Sequence, residues 1–212
     1  MNLKGKTVLF LCSSVTYGSK SGGISFADIM AEGCGINCIK EAVSGTTLVD
    51  DSDQSYIARM KRLPADLTPS AFVCQLSTND ASQNKPLGSI APGFDAAGFD
   101  PHTITGAIEY IIATARSTWQ CPIWFYTGTR YDSPAYAAMV DRLHEIARKW
   151  DIHIIDLWND PDMNAVSPED YARYMHDPVH PCREGYVEWW MPKFYEALGR
   201  QLLNSCDPHE KR

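Results

Sequence analysis

Apolar residues along this chain follow two alternating rhythms. Short continuous runs at residues 6–12 (KTVLFLC), 71–76 (AFVCQL), 122–127 (PIWFYT) and 152–157 (IHIIDL), with a weaker one at 37–43, read as strands buried on both faces. Between them lie stretches with helical spacing. In 103–119 the apolar positions are Ile104, Ala107, Ile108, Ile111, Ile112 and Ala115; in 134–150 they are Met139, Val140, Leu143, Ile146 and Ala147. Shorter helices are predicted at 25–32, ending near Gly33 or Gly35, and at 54–62, stopped before Pro64. A last helix covers 184–203, interrupted or offset at Pro192.

Five strands separated by helices predict an α/β fold: a five-stranded parallel sheet inside a three-layer α/β/α sandwich, wound by right-handed crossovers. In such sheets ligands gather outside the carboxyl ends of the strands. One segment breaks the alternation. Residues 81–102, rich in Gly, Pro, Ser and Asp, make a loop long enough to serve as a lid, a binding loop or an interface with a second copy. Residues 1–206 are expected to form one domain, and 207–212 a frayed tail.

Composition narrows the class. Of 212 residues, 44% are hydrophobic and 21% charged, so the chain is globular rather than disordered. No apolar run approaches the roughly 18 residues of a spanning helix. The N-terminal apolar run stops at Cys12, short of the ~7–15-residue core of a secretory signal, so the expectation is a cytoplasmic protein. Lys and Arg number 19 against 26 Asp and Glu, a net charge of −7 with no basic stripe, which disfavours nucleic acid and anionic membranes as partners. The seven cysteines are odd in number, and Cys34 and Cys38 have no matching downstream pair, so reduced thiols fit better than disulfides or a zinc site.

The polar clusters fall where this architecture collects ligands. Ser13–Ser14 follows the first strand, Ser44-Gly45-Thr46 the second and Ser77-Thr78-Asn79-Asp80 the third; Asp177-Pro178-Val179-His180 precedes the last helix. Acyl transfer needs a nucleophile, a base, a group that orients the base, and donors for an oxyanion. Ser14 can supply the first and His180 the second. Asp177, three residues before His180, can reach the Nδ1–H of that imidazole and fix its tautomer. The backbone N–H groups of Ser14 and Gly45 and the amide of Asn79 can form the oxyanion hole. Tyr17, Arg130, Tyr131 and Trp189 stand near strand ends or just after His180, where they can face substrate. His176 and His180 are spaced as a metal pair, but Pro178 and Pro181 disfavour a regular helix there, so no metal is expected, and no cofactor is needed.

These four segments, in this order, resemble the SGNH/GDSL hydrolase family, whose members have a flavodoxin-like α/β/α fold and cleave esters, including carbohydrate acetyl groups and lipid acyl chains. The resemblance spans residues 12–180 and implies Ser14 as nucleophile, Gly45 and Asn79 as oxyanion donors, and Asp177 and His180 as the rest of the triad. Two positions depart from the family pattern. Cys12-Ser13-Ser14 replaces Gly-Asp-Ser and makes Ser13 a rival hydroxyl, with Ser14 favoured because it lies two residues before Thr16; Ser77 replaces the Gly that usually opens the asparagine block.

The leading expectation is a serine esterase of short-chain esters, foremost O-acetyl groups on a carbohydrate. Its alternatives are a lysophospholipase or thioesterase of the same family and a flavodoxin-like mononucleotide-binding module built on the hydroxyl-rich loop 13–19. The module leaves Asn79, Asp177 and His180 unused.

Overall fold

In the computed structural model, which describes residues 3–204, five parallel strands form one sheet in the order β2-β1-β3-β4-β5. These are β1 (Thr7–Cys12), β2 (Asn37–Ala42), β3 (Ala71–Gln75), β4 (Ile123–Tyr126) and β5 (His153–Ile155). Each pairing is parallel and in continuous register, for example Val8 beside both Cys38 and Ala71. The order is that of doubly wound, flavodoxin-like sheets, in which the chain reverses its winding direction beside β1.

Alternate strand residues feed two cores. Leu9 and Leu11, Phe72 and Cys74, and Ile123 and Phe125 pack against α3 (Tyr56–Met60), α5 (Ile104–Trp119) and α6 (Pro134–Trp150). Val8 and Phe10, Ala71 and Val73, and Trp124 and Tyr126 face α2 (Phe26–Cys34) and α9 (Met191–Asn204). Because both sheet faces are covered, β1, β3 and β4 are apolar nearly throughout, which is why they stood out as runs rather than alternations. Side-chain caps begin the long helices: Thr103 on α5, Ser133 ahead of Pro134 on α6, and a Ser25–Asp28 capping box on α2.

The structure differs from the sequence expectation in four short helices and in the last long one. Helices α1 (Ser14–Tyr17), α4 (Thr78–Ser82), α7 (Pro161–Asn164) and α8 (Pro168–Tyr174) occupy stretches read as loops. They are too short for apolar periodicity to show, although Asp160-Pro161 and Ser167-Pro168 are the N-cap-and-Pro pattern of a helix start. The expected helix at 184–203 divides into a π turn, Gly185–Trp190, running into α9. Pro192 has no N–H to give the Glu188 carbonyl, so the α ladder is broken there and the preceding turn widens. Six of the cysteines are free thiols; Cys206 and the tail at 207–212 lie outside the described residues. Among the described residues no helix is long and apolar enough to cross a membrane.

Candidate active site

The carboxyl ends of β1, β2 and β3 each turn into a short polar segment, and hydrogen bonds tie these segments together. The turn after β1 is the most constrained. Arg59, only 1% exposed, reaches from α3 to donate to the Cys12 carbonyl at 2.7 Å, the Glu41 carbonyl at 2.9 Å and Thr46 Oγ1 at 3.1 Å. One guanidinium thereby fastens the ends of β1 and β2 to the glycine loop, a use of its planar donor fan that lysine cannot reproduce. Gln75 at the end of β3 accepts the Ser13 N–H at 3.1 Å. Thr16 and Tyr126 share a hydrogen bond of 2.5 Å, and Tyr186 donates to the Val15 carbonyl at 2.6 Å. Burial pushes the Tyr186 and Tyr126 phenols up, so both remain neutral.

Helix α1 thus holds Ser14 in one place. Ser14 Oγ lies 2.8 Å from His180 Nε2. The other ring nitrogen, Nδ1, is 2.9 Å from both carboxylate oxygens of Asp177. Asp177 Oδ1 also accepts the backbone N–H groups of Val179 and His180, each at 2.9 Å. Partial burial works against its charge, but the Val179 N–H and the His180 side chain prevail, and its carboxyl stays below the usual carboxylate range. The loop bearing both residues is pinned at its ends by a bridge between Met175 and Pro181. Ser13 is fully buried, so of the two rival hydroxyls it is Ser14 that meets the imidazole.

Gly45 adopts a φ of +81°, a left-handed conformation that favours glycine. Next to it, the Thr46 carbonyl accepts both the Asn79 amide at 2.9 Å and the Ser77 hydroxyl at 3.1 Å. One Asn79 N–H is used in this way and its second remains for a ligand. Ser77, the residue that replaces glycine, therefore acts as a hydroxyl brace, and it also accepts the Asn79 N–H. Asp80 is wholly buried and accepts the Leu48 and Val49 N–H groups at 2.8 and 3.1 Å, clamping the glycine loop from beneath.

The expected substrate contacts divide. Arg130 and Trp189 line one cavity of about 290 Å³ together with Thr129 and Tyr171. Tyr17 is 46% exposed and lies against the Lys40 ammonium, while Tyr131 packs between Tyr136 and Trp158. Neither Tyr17 nor Tyr131 is on that cavity's wall. A second cavity, about 480 Å³, opens beside the glycine loop; its wall runs from Val43 to Thr47 and takes in Asp51, Ser52, Gln54 and Gln83, so it is polar except at Val43 and Gly45. Arg59 and Gln75 were not singled out in the sequence. The signal for Arg59 is a charge on the buried stripe Tyr56-Ile57-Met60.

A family model for GDSL-like lipases and acylhydrolases matches residues 13–187, a span that holds all these segments. The chain belongs to the GDSL-like lipase/acylhydrolase family. Membership makes it a carboxylic ester hydrolase. Solved structures share its fold. A Lactobacillus plantarum protein superposes with a TM-score of 0.77 at 19% identity, covering 93% of this chain and 98% of its own. An acetyl xylan esterase gives 0.67 at 16% identity, over 91% of this chain and 99% of its own. A family two carbohydrate esterase from Clostridium thermocellum, solved with cellohexaose, gives 0.59 at 14% identity, over 92% and 65%. No curated protein matches the sequence.

Proposed function

We propose that this GDSL-family esterase removes short acyl groups, foremost acetyl, from a carbohydrate through a Ser14–His180–Asp177 triad. The observation that carries the reading is the continuous hydrogen-bonded line from Ser14 Oγ through both nitrogens of His180 to the Asp177 carboxylate. In this mechanism His180 Nε2 takes the Ser14 proton as Oγ attacks the acyl carbonyl. Asp177 holds Nδ1–H and stabilises the imidazolium. The oxyanion is received by the N–H groups of Ser14 and Gly45 and by the second N–H of Asn79. His180 then gives its proton to the departing alcohol, leaving an acyl-serine, and activates water to release the acid.

The short acyl group follows from the walls beside the oxyanion donors. Each buried CH₂ of a longer chain gains about 0.8 kcal/mol only against apolar surface, and the cavity at the glycine loop offers little beyond Val43, its other side chains being Ser, Thr, Asp and Gln. That lining favours acetyl over the fatty acyl group of a lysophospholipase. The carbohydrate is supported by the shared fold of the acetyl xylan esterase and the cellohexaose-bound carbohydrate esterase. The test is 4-nitrophenyl ester hydrolysis by wild type, Ser14→Ala and Ser13→Ala. Activity in Ser14→Ala should fall by about 10³-fold or more, Ser13→Ala should remain active, and acetate should be preferred to octanoate and palmitate. Activity that survives Ser14→Ala would remove the triad reading; a palmitate preference would turn the substrate to a lipid.

A further inference from the structure

The cavity that holds Arg130 and Trp189 takes no part in the chemistry above. It lies between the loop after β4, helix α8 and the π turn. Its lining residues bring a guanidinium (Arg130), a carboxamide (Asn164) and a phenol (Tyr171), groups that can bond to a ligand that carries hydroxyls. The rest of the wall selects the kind of ligand. Tyr171 meets Trp189 edge to face at 6.2 Å, and Tyr174 stacks behind Trp189 at 5.6 Å. Arg130 stands exposed at the rim with donors to offer, and no carboxylate lines the cavity. An aromatic wall with a few convergent polar groups suits a neutral ring that has apolar faces and polar edges. The volume, about 290 Å³, is small for a ligand cavity and suits one ring rather than a chain.

Its position relative to the triad decides which part of the substrate it holds. The loop 175–181, with Asp177 and His180, is the connection between α8 and the π turn, so the cavity sits on the imidazole side of Ser14. Burial and then the nearby Asp177 charge push the Tyr171 phenol up, in keeping with that closeness. In acyl transfer the leaving oxygen must face the group that protonates it, and here that group is His180. We infer that the Thr129–Arg130–Tyr171–Trp189 cavity is the subsite for the alcohol part of the ester, and that it seats one pyranose ring of an acetylated oligosaccharide. This rests on the triad reading for its orientation but not for its binding.

The test separates the two. Xylotetraose, which carries no ester, is titrated into the wild-type protein with tryptophan fluorescence as the signal. A saturable change is expected, weakened about ten-fold in Tyr171→Leu and in Arg130→Met, which remove an aromatic wall and a donor in turn. In kinetics, both variants should lose about ten-fold more kcat/KM on acetylated xylotetraose than on 4-nitrophenyl acetate. No saturable change with wild type, or equal losses on both esters, overturns the subsite. Saturable binding by a protein that fails to hydrolyse 4-nitrophenyl acetate would overturn the triad reading and leave the subsite standing. Should Tyr171→Leu melt early, Arg130→Met at the exposed rim decides.

Discussion

Among the described carboxyl groups, Asp80 is the one whose chemistry departs furthest from its type. Its carboxylate is the shared acceptor for two N–H groups of the glycine loop, yet it is buried, and burial raises its carboxyl from 3.8 to about 6 against the opposing hydrogen bonds from Leu48 and Val49. The native state therefore binds a proton between about pH 4 and 6 that the unfolded chain has already released. By linkage, this group's stabilisation is full below about pH 4 and is lost as the pH rises through 6. Aspartates held below the usual range, such as Asp177 and Asp51, have the opposite slope. Asp80→Asn isolates the effect: urea unfolding at pH 4.5, 5.5 and 7 should show wild type losing ground to the variant as pH rises. A difference that stays flat across that range would mean that Asp80 titrates normally. The sequence marked Asn79 and His180 because their residue types suit the chemistry, whereas Asp80 stood out only as a member of the same polar cluster. Arg59 was passed over, because a buried guanidinium that bonds to three carbonyls, a hydroxyl and the Glu41 carboxylate is defined chiefly by long-range contacts no local pattern encodes.

At the scale of elements, legibility followed length and burial. The strands in the sheet interior and the two helices of 16 and 17 residues repeat their apolar spacing enough times to be read. The four- to seven-residue helices at the strand ends and before the triad loop do not, and they are fixed by caps and tertiary packing instead. The π turn after the triad loop is the least legible, since its cause is Pro192 acting backwards on the preceding turn. Its first residue shows the strain. A Cβ at Gly185 would collide with the Tyr174 carbonyl at the end of α8, whereas a Cβ at Gly33, exposed in α2, would meet nothing within 4 Å. The two glycine-to-alanine changes should therefore have opposite signs. Gly33→Ala should raise stability by about 0.5–1 kcal/mol through helix propensity. Gly185→Ala should lower it by about 1–3 kcal/mol through overpacking, and because it pushes on the two elements flanking His180, it should reduce turnover of 4-nitrophenyl acetate as well. Thermal unfolding and steady-state rates on the pair check this. A neutral Gly185→Ala would mean that α8 yields freely to the π turn.

Across the whole molecule, three of the four candidate segments were legible because a doubly wound sheet puts the ends of its strands on one edge, whatever the loops do, and the fourth because Asp177 stands three residues before His180. What each loop does was not legible, and 81–102 is the clearest instance. The glycine, proline and serine content that suggested a lid also suits a segment with many hydrogen-bonding partners. Lys149 donates to the Ala91 and Gly93 carbonyls at 2.6 Å and to the wholly buried Glu109 at 2.5 Å, and its ammonium lies over the rings of Phe94, Phe99 and Trp150. Glu109 in turn accepts the Ala91 N–H and the Trp150 indole N–H, and Arg142 holds the Gly88 carbonyl. These bonds fasten the segment to α5 and α6, and opening it would strip Glu109 of the Ala91 N–H and Lys149 of two carbonyl acceptors. We expect it to act as a fixed buttress of those helices. Lys149→Met keeps the aliphatic stem and removes the charge. It should cost about 2–3 kcal/mol, less than the ~3–5 of a fully buried pair because Lys149 retains some solvent, and lower the melting temperature by about 4–12 °C. Adding Glu109→Gln should recover much of the loss, because the amide oxygen still accepts from Ala91 or Trp150 with no charge left unpaired. Limited proteolysis reads the segment directly: wild type should resist cleavage within 88–100 while Lys149→Met is cut there. Equal and rapid cleavage of both proteins would mean that the segment opens in the native state, and a lid would then be the better description.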